Sequence, residues 1–242
     1  MGLYLKDAWW NDLNELRSRT DKLYERIGRD IWQVTAEKMI ELRGWKVKEP
    51  EVIPVIQELG AYYVPKKMFP GPMFVFPETD ASGHLTRAQT KPLHDLFGEG
   101  KYHALGVNRK EFLGPIWLGN TDPTLEQILQ LKSAVLVEGP FDLIATRILS
   151  PHFPILSPLT KTIGSHHIAY LKILGVKSLY ILFDNEESEA GFISKQIISR
   201  DSGFRVDALG ECPGGDPSAA LQSFSTKGVF RKLLKTLGEN ND

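Results

Sequence analysis

Cysteine is almost missing: Cys212 is the single one in 242 residues. That excludes a disulfide framework and every zinc module that needs two or more thiolates, and makes a reducing, cytoplasmic setting the expectation. Long apolar runs are missing too, since none approaches the about 20 residues that span a bilayer. Met1 to Trp10, with Lys6, Asp7 and two tryptophans, lacks the layout of a signal peptide. The expectation is a protein neither exported nor embedded in a membrane. No charge sign dominates, with 29 Lys+Arg against 30 Asp+Glu and a formal charge of -1. Any contact with nucleic acid therefore has to come from a local basic patch. There is no internal repeat, no low-complexity stretch and no Gly-x-x-x-x-Gly-Lys-Ser/Thr loop for an ATP-driven motor. What is present, 42% hydrophobic and 24% charged residues, is an ordinary globular composition with room for one large domain or two small ones.

Four segments follow from the pattern: a helical stretch over 1–60, a β-rich unit over 61–130, an α/β unit over 131–216 and a helical tail over 217–242. In the first, Leu13, Leu16, Leu23, Ile27, Ile31 and Val34 recur at three- and four-residue steps, and two further helices end at Gly44 and Gly60. In the second, bulky residues such as Tyr62, Tyr63, Phe74 and Phe76 are broken by prolines. Asp80-Ala-Ser-Gly83 has the turn chemistry for a hairpin between Met73–Pro77 and Leu85–Thr90. A strand through Arg87, Gln89 and Lys91 places all three on one face. In the third, near-continuous apolar runs at 134–137, 154–156, 178–183 and 204–209 alternate with helical stretches, the grammar of a parallel sheet covered on both faces.

Ligands of such sheets bind beyond the carboxyl ends of the strands. Three of those ends carry acids here: Glu138 and Asp142 after the first run, Asp184 and Glu186 after the third, Asp216 in the loop after the fourth. One acid at a strand end reads equally well as a cap or dipole partner of the next helix, which suits Asp142, Glu187 and Glu189. The set Glu138, Asp184, Glu186 and Asp216 does not fit that reading. Converging carboxylates repel one another unless protons or divalent cations compensate, and hard oxygen donors suit Mg²⁺ or Mn²⁺. The six histidines show no spacing of a zinc site.

Taken together, Glu138-Gly139-Pro140-Phe141-Asp142, Asp184-Asn185-Glu186, Ala190-Gly191 and Gly215-Asp216-Pro217 resemble the Toprim domain shared by topoisomerases, primases, recombination-repair proteins and some nucleases. The bacterial-type primase branch fits best, because Met39 to Tyr63, Phe74-Val-Phe-Pro77, Gly83 to Lys91 and Lys101-Tyr102 resemble, in order, the start of a primase catalytic core. The resemblance covers roughly residues 30 to 220. It departs from the family where Glu186 replaces an aspartate, where two extra residues precede Ala190-Gly191, where Ser157-Pro-Leu-Thr160 replaces a Gly-Thr segment, and where Ser218 replaces an often acidic residue.

The resemblance implies a Toprim-type parallel sheet flanked by helices and preceded by a smaller α+β subdomain. It implies metal-dependent synthesis of RNA primers on single-stranded DNA, with Glu138, Asp184 and Glu186 catalytic and, with Asp216, holding Mg²⁺ or Mn²⁺. Arg87, Lys91 and Lys101 are the cations assigned to ribonucleoside triphosphates or template, a solvated strand face being the plain alternative for each. A separate helicase or zinc-bearing template reader would be the partner, as in a phage-like replication system. Two other classes remain open: a Toprim nuclease, and a catalytically weakened DNA-binding or assembly subunit.

Overall fold

In the computed structural model the described residues are 12–68, 72–79, 85–93, 103–106, 117–158, 163–182, 203–208 and 215–228. The N-terminal periodic run forms two helices rather than one. Helix α1 (Leu13–Arg26) is capped by Asp12, whose Oδ1 accepts the N–H groups of Asn14 and Glu15 at 2.9 and 3.2 Å. The chain then breaks, and Asp30 accepts the Gln33 N–H at 2.8 Å to open α2 (Ile31–Arg43). Helices α2 and α3 (Glu49–Leu59) stop at Gly44 and Gly60, both left-handed with φ of 63° and 64°, a conformation that costs glycine nothing. Both stops lie where the sequence places them.

Strands β1 (Tyr62–Val64), β2 (Met73–Thr79), β3 (Leu85–Pro92) and β4 (His103–Gly106) form an antiparallel sheet in that order. The hairpin of β2 and β3 is the expected one, although its tip lies outside the described residues. Its register sets Phe74 opposite Lys91, Phe76 opposite Gln89 and Glu78 opposite Arg87. Arg87, Gln89 and Lys91 thus share a face with Phe74 and Phe76.

Helix α4 (Asp122–Leu131), which the sequence reading does not single out, leads into β5 (Ser133–Val137). Then follow α5 (Pro140–Leu149), β6 (Ile155–Leu156), α6 (Ser165–Ile173), β7 (Ser178–Leu182) and β8 (Arg205–Ala208). The second sheet has the order β6-β5-β7-β8 and every pair is parallel. It is the expected α/β unit, and α4 packs with it through the buried Ile128. The helical stretch expected between the third and fourth apolar runs, at 190–199, lies outside the described residues. A 3-10 turn at Ala219–Gln222 follows.

Side chains alternate along the parallel strands between two cores. Val135, Val137, Tyr180 and Leu182 join the cluster that contains α1 to α3 and the antiparallel sheet. Ala134, Leu136, Leu179 and Ile181 join the cluster under α6 with Trp117 and Ile128. The weld between the sheets is Phe141 in the first turn of α5, edge-on to Phe74 at 5.7 Å, Phe76 at 5.4 Å and Trp45 at 6.2 Å between centroids. Burying each such ring is worth roughly 1.5–3 kcal/mol, and edge-to-face pairing adds about 0.5–1.5 kcal/mol. No helix of the described residues is long and apolar enough to cross a membrane.

Candidate active site at the carboxyl edge of the parallel sheet

Strand β5 runs into Glu138 and Gly139, and Pro140 opens α5 at a position where its missing N–H is no loss. The Ser157 hydroxyl donates to the Glu138 carbonyl at 2.7 Å, fixing that backbone from the neighbouring strand end. The Asp142 carboxylate does two things. Its Oδ2 accepts the Gly139 N–H at 3.1 Å, and its Oδ1 accepts the Ser218 N–H at 3.3 Å. The first bond is the helix-capping role anticipated for Asp142. The second brings the segment of Asp216 to the segment of Glu138, so a single buried carboxylate holds two candidate ligands on one edge.

Asp216 is half-buried, and its Oδ1 accepts the Ala219 N–H at 2.5 Å, which starts the 3-10 turn. Arg43 Nη2 lies 3.9 Å from the same oxygen. Ser218, fully buried, accepts from Arg43 Nε at 2.8 Å and from Trp45 Nε1 at 3.2 Å. The Arg43 guanidinium also lies over the Phe141 ring, 5.2 Å from its centroid. Lys91 approaches from β3, and its ammonium is held below the ordinary value of 10.5, chiefly by burial and then by the charge of Arg43. Arg43 is therefore fixed beside the Asp216 segment, and Lys91 lies within reach of its field.

The other candidates fall into two groups. Asp184 and Glu186 follow Leu182, which is registered beside Val137, but they lie outside the described residues, as does Lys101. Arg87 is described and buried: its Nε donates to Glu78, itself fully buried, directly across the hairpin. His167 is buried, accepts the Gly164 N–H at its Nδ1 at 3.2 Å and packs edge-on against Trp117 at 4.7 Å, whereas His166 is exposed. Trp45 belongs to the core and Trp32 lies against it. Among the described residues no group of three or more His, Cys, Asp or Glu is placed to hold a metal ion. The tie through Asp142 brings the backbone beside Glu138 to the backbone beside Asp216, and both side chains are hard oxygen donors.

Arg43 is the residue that sequence reasoning missed. It sits in the last turn of α2, where a cation complements the helix dipole and draws no attention. Only the long-range bond to Ser218 distinguishes it.

No family model and no curated protein matches the chain. Solved structures do. The zinc-binding and RNA polymerase domains of the Aquifex aeolicus primase superpose with a TM-score of 0.63 at 19% identity, over 83% of this chain and 55% of that one. The chain thus spans about half the length of the Aquifex protein. The RNA polymerase domain of the Mycobacterium tuberculosis primase DnaG gives 0.62 at 17% identity, over 83% and 75%. The DnaG primase catalytic domain bound to single-stranded DNA gives 0.61 at 15% identity, over 83% and 71%. At these identities the likeness is one of fold: the chain has the architecture of a bacterial-type primase catalytic core, as its motifs suggested.

Proposed function

We propose that the chain is the catalytic core of a DNA primase, a nucleotidyltransferase that joins ribonucleotides into short primers on single-stranded DNA. The observation that supports this most is the placing of Arg43, from the helical unit, beside Asp216 on the segment that Asp142 ties to the Glu138 strand end, with Lys91 of the antiparallel unit near enough to feel its charge. A nuclease acting through the carboxylates has no evident need of that opposing wall, whereas an incoming triphosphate does.

In this reading a 3′-hydroxyl attacks the α-phosphorus of the next nucleotide and pyrophosphate leaves. Glu138, Asp184, Glu186 and Asp216 would hold Mg²⁺ or Mn²⁺, whose charge stabilises the triphosphate oxygens and the leaving group. Arg43, locked through Nε by Ser218, presents a fixed guanidinium for phosphate oxygens, and Lys91 adds a second positive charge. Lys101 is assigned to triphosphate or template on its sequence position alone. Arg87 is assigned to sheet stability, because its charge is already taken by Glu78. Neither a multi-thiolate zinc module nor a motor loop occurs in these residues. The reading therefore includes a zinc-bearing template reader and a helicase acting from outside them, in a phage-like replication system and a cytoplasmic setting.

The test is to incubate the protein with ribonucleoside triphosphates, single-stranded DNA and Mg²⁺ or Mn²⁺. New oligoribonucleotides support the primase. Shortened DNA would establish the Toprim nuclease instead, and binding with neither product would make the chain a DNA-binding or assembly subunit.

A further inference from the structure

The turn that begins at Asp216 ends in an exposed aromatic ring. Ala220 and Leu221 are fully buried, yet Phe224, three residues later, is 76% exposed. Its backbone is not left loose. The Lys46 N–H donates to the Leu221 carbonyl at 2.6 Å, and Gln222 Nε2 donates to the Arg43 carbonyl at 2.9 Å. The Thr226 hydroxyl bridges the carbonyls of Ala220 and Ser223 at 3.0 Å each, and Lys227 pairs with Glu51 on α3 at 3.0 Å. A large apolar side chain is thus held in water on an anchored turn.

The surface beside it is cationic. From Arg43 to Lys48 the chain carries Arg43, Lys46 and Lys48 and no acid, and both lysines are exposed. Glu49 and Glu51 open the next helix, and Glu51 already accepts from Lys227 and from the Lys48 N–H. An exposed ring beside a row of cations suits a single strand, whose bases offer π-faces and whose backbone offers phosphates. A duplex offers no free base face. A protein partner would fit a wider apolar surface, and among the described residues of 41–48 and 215–228 only Leu42, 46% exposed, joins Phe224 as an exposed large hydrophobic.

We infer that Phe224 is a stacking platform for a base of single-stranded DNA, whose phosphates run along Lys46 and Lys48 towards Arg43 and the Asp216 edge. The inference rests on the template proposed above, and it names the surface that holds the strand outside the reacting centre.

Fluorescence anisotropy of fluorescein-labelled oligothymidylate, measured with chelator and without nucleotide, tests it. Phe224→Ala weakens binding by at least about fivefold, the low end for one lost base stack, with the salt dependence unchanged. Lys46→Ala lowers the slope of log affinity against log salt by about 0.7. Phe224→Ala leaves the affinity for a blunt duplex as it was, and the new indole of Phe224→Trp is quenched when oligothymidylate binds. Unchanged affinity of Phe224→Ala for oligothymidylate, an equal loss on duplex, or an unquenched indole would overturn the platform and give the ring to another partner. Circular dichroism verifies the fold of each variant. Because no metal or nucleotide takes part, failure here leaves the primer-synthesis test standing, and absence of primers with intact stacking would refute catalysis alone.

Discussion

Replacing Arg87 by methionine separates a structural cation from a DNA-binding one. The Arg87 side chain is 9% exposed and that of Glu78 is 0% exposed, and the two face each other across β2 and β3. Removing one partner of a buried pair strands the other charge and costs roughly 3–5 kcal/mol. For a chain of this size each kcal/mol moves the melting temperature by roughly 2–4 °C, so Arg87→Met should lower it by roughly 6–20 °C. The double variant Glu78→Leu/Arg87→Met removes both charges and should recover most of that loss, since apolar groups of similar volume replace such pairs at little cost. Differential scanning calorimetry of the wild type, both single variants and the double variant closes the cycle. Binding of single-stranded DNA, measured well below all four transitions, should be the same for the wild type and the double variant. A single variant that melts like the wild type yet loses DNA affinity would refute the structural assignment and return Arg87 to phosphate.

Asp142→Ala removes the acceptor of two backbone N–H groups at 3.1 and 3.3 Å. It should cost about 2–4 kcal/mol and reduce primer synthesis by loosening Glu138 from Asp216, with Asp142→Asn intermediate on both measures. Asp184→Ala should abolish divalent-dependent synthesis while leaving the melting temperature without metal unchanged or slightly raised, because it relieves repulsion among carboxylates; wild-type turnover in Mg²⁺ would remove Asp184 from the site. Lys91→Ala and Lys101→Ala should each weaken nucleotide or oligonucleotide binding and lower its salt slope by about 0.7. For Lys91 the affinity is full below its lowered pKa and declines as pH rises through it, earlier than for a lysine at 10.5. Stability moves the other way in that window, since the unfolded chain binds more protons there, and Lys91→Arg should abolish both limbs.

Much of this architecture was legible because local rules and packing agree. Apolar runs with helical spacers could form only a covered parallel sheet, and the glycines at 44 and 60 closed their helices wherever those helices packed. The period of two put Arg87 and Lys91 on one face, and the structure has them there. What the period could not say is that Glu78 stands opposite Arg87, because cross-strand register is set by the hairpin and not by either strand alone. The single periodic run from Leu13 to Val34 concealed a break, since helix-compatible spacing persists through Ile27 even though Asp30 caps a new helix. Helix α4 escaped because it lies between two conspicuous units. Arg43 escaped for a deeper reason: its partners, Asp216 and Ser218, lie more than 170 positions along the chain, and no local pattern encodes a contact of that range.

That contact also gives a physical meaning to the departure at position 218. A carboxylate there would lie within reach of Arg43 and close to Asp142, whose Oδ1 already receives the Ser218 N–H. It would neutralise Arg43 and set another negative charge against two existing acids at a buried position. The serine hydroxyl accepts the same Arg43 Nε–H and the Trp45 N–H without bringing charge. The guanidinium is therefore held in place with the Asp216 carboxylate 3.9 Å away, and burial, followed by the Arg43 charge, lowers the Lys91 ammonium. A polyanionic ligand would meet both cations there. Ser218 thus leaves the acidic edge one carboxylate short and sets no further negative charge against Arg43, which favours a phosphate there.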